Sequence, residues 1–190
     1  MAVLAIDIGG TKLAGGVVDT EGRILARGEV PTLAAEGLEP VLGRIVGLGR
    51  DLLSRPEAAD VSVHRVGVGC AGPVDLKTGI VFNPPNLPGW VRVPLIDHLQ
   101  QALALPAVLE NDANAAALGE FRYGAGRGAR SIVYMTVSTG IGGGIILAIR
   151  STSAYGISRT LPTSRTAPRG FHVPNVMSCA TFSLPYVRCT

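Results

Sequence analysis

The chain has 190 residues, of which 47% are hydrophobic and 16% charged, with glycine at 25 positions. This balance excludes a disordered chain and favours a compact α/β protein of one domain, or of one domain and part of another. No apolar run has the length of a transmembrane helix, so we expect no membrane association and a cytoplasmic location. Cys70, Cys179 and Cys189 are too few and too scattered for a disulfide framework or a zinc cluster.

The net charge of +3 is the sum of two unlike parts of the chain. All fourteen acidic residues lie at or before Glu120, where nine basic residues leave a net charge of −5. Residues 121–190 carry eight arginines and no acidic residue. Such an asymmetry indicates either a basic arm for nucleic acid or membrane, or a tail that is unrelated to the rest of the chain.

A glycine turn joins the first two predicted strands. Apolar runs at 3–8 and 13–18 predict the strands, and the turn between them has the sequence DIGGTK at residues 7–12. Its glycines would let backbone N–H groups approach a phosphate closely, and its lysine adds a positive charge. Asp7 would then point at the magnesium ion of that phosphate. An ordinary hairpin turn is the alternative.

The chain up to residue 149 then alternates between strand and helix patterns. Buried apolar runs predict strands, apolar residues three and four positions apart predict helices, and clusters of Pro and Gly predict loops. In chain order we predict a strand at 23–30, a helix at 38–53, a strand at 66–70, a small hairpin at 76–82, an irregular loop at 83–90, a helix at 94–103, a strand at 106–110, a helix at 113–123, a strand at 131–137, a turn at 138–144 and a strand at 145–149.

The second glycine turn, at 138–144, lies between two apolar strands as the first one does. Two such hairpins indicate two related units, each opened by a phosphate-binding turn. Chance recurrence of a glycine turn is the alternative.

Asp112 is the candidate general base for transfer of a phosphoryl group. Such a transfer requires phosphates that are held in place, a metal ion and a base near the acceptor hydroxyl. Asp112 follows a predicted strand and begins a helix, and sites in α/β sheets gather at the carboxyl ends of strands. Asp and Asn are also preferred helix N-caps, so Asn111 or Asp112 would equally serve a purely structural role.

Four motifs in this order resemble those of the ROK family of sugar kinases and sugar-responsive repressors. They are DIGGTK at 7–12, GPVD at 72–75, NPPNLPGW at 83–90 and ENDANAAALGE at 110–120. The resemblance implies an α/β, ribonuclease-H-like fold, the two-domain ATPase fold of actin and hexokinase, with a first domain and the start of a second. It also implies ATP and Mg²⁺ as cofactors.

The resemblance further implies a role for each matching residue. Asp112 would be the catalytic base, and Asp7 would organise the magnesium ion, through water. The hexose would contact Gly72, Asn86 and Asn111; for Asn86 a turn-capping role is the alternative. The phosphates would be held by Gly9, Gly10, Thr11, Lys12, Thr139, Gly140, Gly142 and Gly143.

The resemblance ends at about residue 148, before the family's Glu-x-Gly-His motif, its zinc motif and its adenosine-binding lobe. Residues 149–190 contain six Ser, six Thr, five Arg and four Pro, and no Asp, Glu or Lys. We predict a ROK domain at 1–123, the first hairpin of a second domain at 124–148, and an atypical tail at 149–190. A frameshift or misannotated end near Ile149 is our hypothesis for the tail, and a basic nucleic-acid-binding arm is the alternative.

The predicted activity is ATP-dependent phosphorylation of a hexose hydroxyl, most like that of a glucokinase. Because the later family motifs are missing, we expect little or no turnover from these 190 residues. One alternative is a sugar-responsive repressor relative, which would carry a helix-turn-helix domain before the first strand. Another is a non-catalytic fragment or binding module. We expect a hexose as the partner and no nucleic acid or membrane, and homo-oligomerisation is left open.

Overall fold

The computed structural model describes residues 1–137, 141–147 and 179–180. The described residues form two compact units, one of residues 1–112 and one that begins at residue 113. The structure thus groups the helix at 113–123 with the second unit, whereas the predicted boundary follows that helix; the division into domains stays a prediction. The predicted tail lies outside the described residues, apart from positions 179 and 180. In the part of the chain that is described, no helix has both the length and the hydropathy that crossing a membrane requires.

A five-stranded mixed sheet forms the centre of the first unit. The elements of this unit are β1 (Ala2–Ile8), β2 (Lys12–Asp19), β3 (Ile24–Pro31), a 3-10 turn (Ala34–Glu36), α1 (Leu38–Ser54), α2 (Pro56–Ala59), β4 (Val63–Cys70), β5 (Val74–Asp75), β6 (Ile80–Val81), α3 (Leu95–Leu103) and β7 (Ala107–Asn111). Strand order in the sheet is β3-β2-β1-β4-β7: the first three strands are antiparallel neighbours, whereas β1, β4 and β7 run parallel. Most predicted elements are therefore present, and the small hairpin is shifted to β5 and β6.

The core lies between this sheet and the helices α1 and α3. Leu4, Ile6 and Ile8 alternate with less buried residues along β1, as expected for a strand with one face toward the core. Helix α1 packs closely on β2 because Gly15 has no side chain: a Cβ there would lie 2.8 Å from Cδ1 of Leu52. Burial of this apolar face, rather than helix propensity, stabilises α1.

The loop at 83–90 is irregular but anchored, as its prolines predict. Leu87 and Trp90 are buried in the core of the unit. The N–H of Asn83 donates to the carbonyl of Trp90 at 2.8 Å, which closes the loop at its base. The buried anchors hold the exposed positions between them in place.

The second unit contains a helix and a strand pair that pack through small residues. Its elements are α4 (Asp112–Tyr123), β8 (Ser131–Val137), β9 (Ile141–Leu147) and the short β10 (Cys179–Ala180), which pairs in parallel with β8. The first residue of α4, Asp112, belongs to the first unit. A Cβ on Gly144 would lie 2.6 Å from the Cβ of Ala117, and one on Gly142 would lie 3.2 Å from that of Ala113. These glycines leave room for α4.

The predicted turn at 138–144 is wrong in its second half. Strand β9 begins at Ile141, so that residues 142–144 lie in the strand and pair with Thr136, Met135 and Tyr134 of β8. Glycine is a poor strand former by itself, and the packing of an alanine-rich helix face compensates for it here.

Replacement of Leu52 by alanine tests the packing of α1 on the sheet. Because Leu52 is fully buried, Leu52→Ala should lower the free energy of unfolding by about 2–5 kcal/mol. Leu76→Ala removes the same atoms from a side chain that is half exposed, and should cost less than about 1 kcal/mol. Urea unfolding followed by circular dichroism measures both, and equal costs would contradict the described core.

Candidate active site

Parallel pairing brings the candidate catalytic residues to one edge of the sheet. Asp7 on β1 pairs with Gly69 on β4, which pairs in turn with Glu110 on β7. All three strands run in the same direction and end within two residues of these positions. Asp112 comes two residues after Glu110, at the first position of α4. The carboxyl ends of the three strands thus form the site edge, where ligands of α/β sheets bind.

Gly69 lies between the two aspartates. A Cβ at this position would lie 3.6 Å from Oδ1 of Asp7 and 3.8 Å from the Cα of Asp112. The missing side chain therefore leaves a space that is bordered by both residues. No sequence motif marked Gly69, since only the strand pairing places it between them.

Asp7 is held in an environment that disfavours its charge. Burial is the main cause that raises the pKa of Asp7 to about 6, the negative charge of Asp112 raises it further, and Lys12 opposes them. A carboxylate whose charge is poorly compensated is suited to bind a cation. In residues 1–137, 141–147 and 179–180, no three His, Cys, Asp or Glu side chains form a metal cluster. Two carboxylates nevertheless fit Mg²⁺, which is usually held by one or two carboxylates together with phosphates and water.

Cys70 lies beneath this pair of aspartates. Burial, followed by the charges of Asp112 and Asp7, raises the pKa of the Cys70 thiol to about 12. The thiol is therefore neutral at physiological pH and acts as a small apolar residue of the core, not as a nucleophile.

The predicted sugar-binding residues are close to one another. Asn111 is buried, and its Nδ2 donates to the carbonyl of Gly72 at 3.5 Å. Gly72 has a φ of 97°, a conformation that favours glycine, and a Cβ there would lie 2.9 Å from the Cα of Pro84. The end of β7, the turn at residue 72 and the loop at 83–90 therefore form one packed surface. Asn86 is an exposed residue of that loop.

The backbone conformation of the first glycine turn does not by itself require glycine. Neither Gly9 nor Gly10 has a φ in the left-handed region, so unusual backbone conformation is not the reason for glycine. The N–H of Gly9 donates to the carbonyl of Lys12 at 3.1 Å. The N–H groups of Gly10 and Thr11 make no hydrogen bond to other described backbone groups, and they remain available to a ligand.

Thr32 braces this turn and was missed by the sequence analysis. It is fully buried, its Oγ1 donates to the carbonyl of Gly9 at 2.7 Å, and its N–H donates to the carbonyl of Thr11 at 3.0 Å. Arg44 on α1 donates to the carbonyl of Thr32 at 2.9 Å and forms an ion pair with Glu36. No local pattern indicates these bonds, because Thr32 is 23 positions from Gly9.

Lys12 is paired across the sheet. Its Nζ lies 3.1 Å from Oε2 of Glu29, and both side chains are substantially exposed. Such surface pairs contribute about 0–1 kcal/mol, so a phosphate would readily compete with Glu29. The role of Lys12 in phosphate binding stays a prediction.

The second phosphate motif lies partly outside the described residues. Thr139 and Gly140 lie outside the described residues. Gly142 faces Ala113, and Gly143 lies on the opposite face of β9, near the carbonyl of Tyr134. Their roles in phosphate binding stay predictions.

The sequence matches a known protein family and several curated relatives. A model of the ROK family matches residues 3–154. The glucokinase of Streptomyces coelicolor is 38% identical over 170 residues, covering 88% of this chain and 50% of the glucokinase. An N-acetylmannosamine kinase of Escherichia coli is 38% identical over 147 residues, covering 77% of this chain and 47% of that protein. The chain thus spans about half the length of the curated relatives it matches.

Solved structures of ROK family proteins have a fold similar to that of this chain. A ROK family glucokinase from Streptomyces griseus, in complex with glucose and AMPPNP, matches with a TM-score of 0.70 at 40% identity, over 83% of this chain and 48% of that one. A ROK family transcriptional regulator matches with a TM-score of 0.69 at 21% identity, over 89% of this chain and 42% of that one, a likeness of fold alone. The predicted ribonuclease-H-like fold is confirmed.

Replacement of Asp7 by asparagine tests the electrostatic state of the site. A carboxyl group whose pKa rises from 3.8 to about 6 on folding stabilises the native state below pH 4, and this contribution is lost as the pH rises through 6. In magnesium-free buffer, Asp7→Asn should therefore raise the free energy of unfolding at pH 7 by about 1–3 kcal/mol and flatten its decline between pH 4 and 7. Asp60→Asn, at an exposed position, should leave the profile unchanged. Identical pH profiles for Asp7→Asn and wild type would refute the assignment.

Replacement of Thr32 by valine tests the brace on the glycine turn. Thr32→Val keeps the shape of the side chain but leaves the carbonyl of Gly9 without its donor, which should cost about 1–3 kcal/mol of unfolding free energy. Thr20→Val, at an exposed position, should change it by less than about 0.5 kcal/mol. Thermal or urea unfolding gives both values, and a neutral Thr32→Val would show that the hydrogen bond is unimportant.

Proposed function

Because this chain belongs to the ROK family, we propose that it takes part in ATP-dependent phosphorylation of a hexose hydroxyl, as a glucokinase-like sugar kinase. The observation that carries the proposal is the placement of Asp7 and Asp112 on either side of Gly69, at the edge of the sheet. This edge is bordered by a glycine turn with unused N–H donors and by a loop with exposed amide groups. One side suits phosphates and the other suits hydroxyl groups.

Asp112 would accept the proton of the hexose hydroxyl that attacks the γ-phosphorus. A carboxylate at the start of a helix and the end of a parallel strand is held rigidly, as a general base must be. Asn111, fixed against Gly72, would donate to or accept from neighbouring hydroxyl groups of the sugar. Asn86 would contribute a second amide from the exposed part of its loop.

The phosphates of ATP would be held by the turn at 9–12. The free N–H groups of Gly10 and Thr11 would donate to phosphate oxygens, and Lys12 would exchange Glu29 for them. Asp7 would hold a magnesium ion, directly or through water, and this ion would neutralise charge on the phosphates. Thr139, Gly140, Gly142 and Gly143 would contribute from the second glycine motif. Use of ATP and a free sugar fits a cytoplasmic reaction.

A repressor relative is the competing assignment within the same family. The ROK transcriptional regulator is similar to this chain in fold alone. The relatives that are 38–40% identical to this chain are named as kinases, which transfer phosphoryl groups. The carboxylate pair favours catalysis, since binding a sugar does not require a buried aspartate whose pKa is raised.

A single-turnover measurement with the chain in excess over ATP tests the proposal. Glucose-dependent formation of ADP should occur, slowly, and Asp112→Asn should reduce its rate by about 10²–10⁴-fold because the general base is lost. Asp97→Asn, an exposed carboxylate at the start of α3, should retain the wild-type rate. Equal rates of glucose-dependent ADP formation in wild type and Asp112→Asn would contradict the proposal.

A further inference from the structure

Gly10 faces the loop that carries Asn86. A Cβ on Gly10 would collide with the Cβ of Asn86, and would lie 2.9 Å from its carbonyl oxygen and 3.2 Å from its Cγ. Because φ at Gly10 is outside the left-handed region, alanine could adopt the same backbone conformation. The requirement for glycine therefore comes from the neighbouring residue 86, and not from the turn itself.

Both segments that meet in this contact are anchored. The glycine turn is held by the Thr32 Oγ1 bond to the carbonyl of Gly9. The loop is held from behind, since Leu87 is buried and Pro84 lies against Gly72. The two nearest atoms of Asn86 are its Cβ and its main-chain oxygen. A change of rotamer moves neither of them. Added bulk at position 10 must consequently move the backbone of residue 86.

We propose that Gly10 is a positioning residue for the acceptor side of the site. It fixes the place of Asn86 relative to the glycine turn, so that a sugar held by Asn86 is set at a defined distance from phosphates held by the turn. The inference rests on the proposed function, in which Asn86 contacts the hexose. It goes beyond that function because it assigns to a residue of the phosphate motif a role in sugar binding.

Binding of glucose without nucleotide separates the two roles of Gly10. With no phosphate present, a residue that served phosphate binding alone would have no effect on glucose affinity. We expect Gly10→Ala to weaken glucose binding by roughly 3-fold to 10-fold, because a displaced Asn86 loses its hydrogen bond to the sugar. Gly43→Ala is the matched control, since a Cβ at this exposed helical position meets nothing within 4 Å. It should bind glucose as the wild type does.

An Asn86→Gly background provides a second measurement. This substitution removes the Cβ and Cγ that oppose Gly10, so that Gly10→Ala should cause a smaller loss of glucose affinity there than in the wild type. In two-dimensional NMR spectra of the free chain, Gly10→Ala should shift the side-chain amide signals of Asn86 and the backbone signals of residues 83–90. Gly43→Ala should leave both unchanged.

The outcomes distinguish this inference from the proposed function. Equal glucose affinity in wild type and Gly10→Ala, or NMR shifts confined to residues 8–13, would overturn the role assigned to Gly10 and leave the proposed function intact. A wild-type chain that binds no glucose would contradict the proposed function and the inference together. Weaker binding in Gly10→Ala with partial relief in the Asn86→Gly background supports the inference.

Discussion

The site depends on the parallel pairing of β1, β4 and β7. This pairing places Asp7 opposite Gly69 and brings Asp112 to the same edge, although the two aspartates are more than one hundred positions apart in the chain. Burial, and after it the negative charge of Asp112, disfavour the charged form of Asp7 and raise its pKa. Burial of Asp7 beside Asp112 therefore reduces stability at neutral pH.

At three positions among the described residues, glycine provides space for a neighbouring group. Gly15 admits Leu52 of α1, Gly144 admits Ala117 of α4, and Gly10 admits Asn86. At none of these three positions is φ positive, in contrast to Gly72, where the backbone conformation itself favours glycine. At these three positions glycine allows close approach of elements, which differs from the flexibility that glycine confers on linkers.

The glycine turn and the acceptor loop are supported from the interior of the first unit. Thr32 and Arg44 connect the turn to helix α1, and Leu87 and Trp90 connect the loop to the core. Thr11 of the turn and Asn86 of the loop are accordingly exposed residues on anchored segments. Rigid support of this kind keeps reacting groups at productive distances, which is the main contribution that a protein makes to phosphoryl transfer.

By itself the sequence determined the order of strands and helices in the first unit and the irregular loop at 83–90, because apolar periodicity and turn residues are local properties. The roles of Asp7, Asn111 and Asp112, which short motifs indicate, stay predictions. Only the tertiary structure decided the contacts of Gly10 with Asn86 and of Thr32 with Gly9, the position of Gly69, and the inclusion of residues 142–144 in β9. Each of these depends on packing between segments far apart in the chain, and no local pattern records which segments meet.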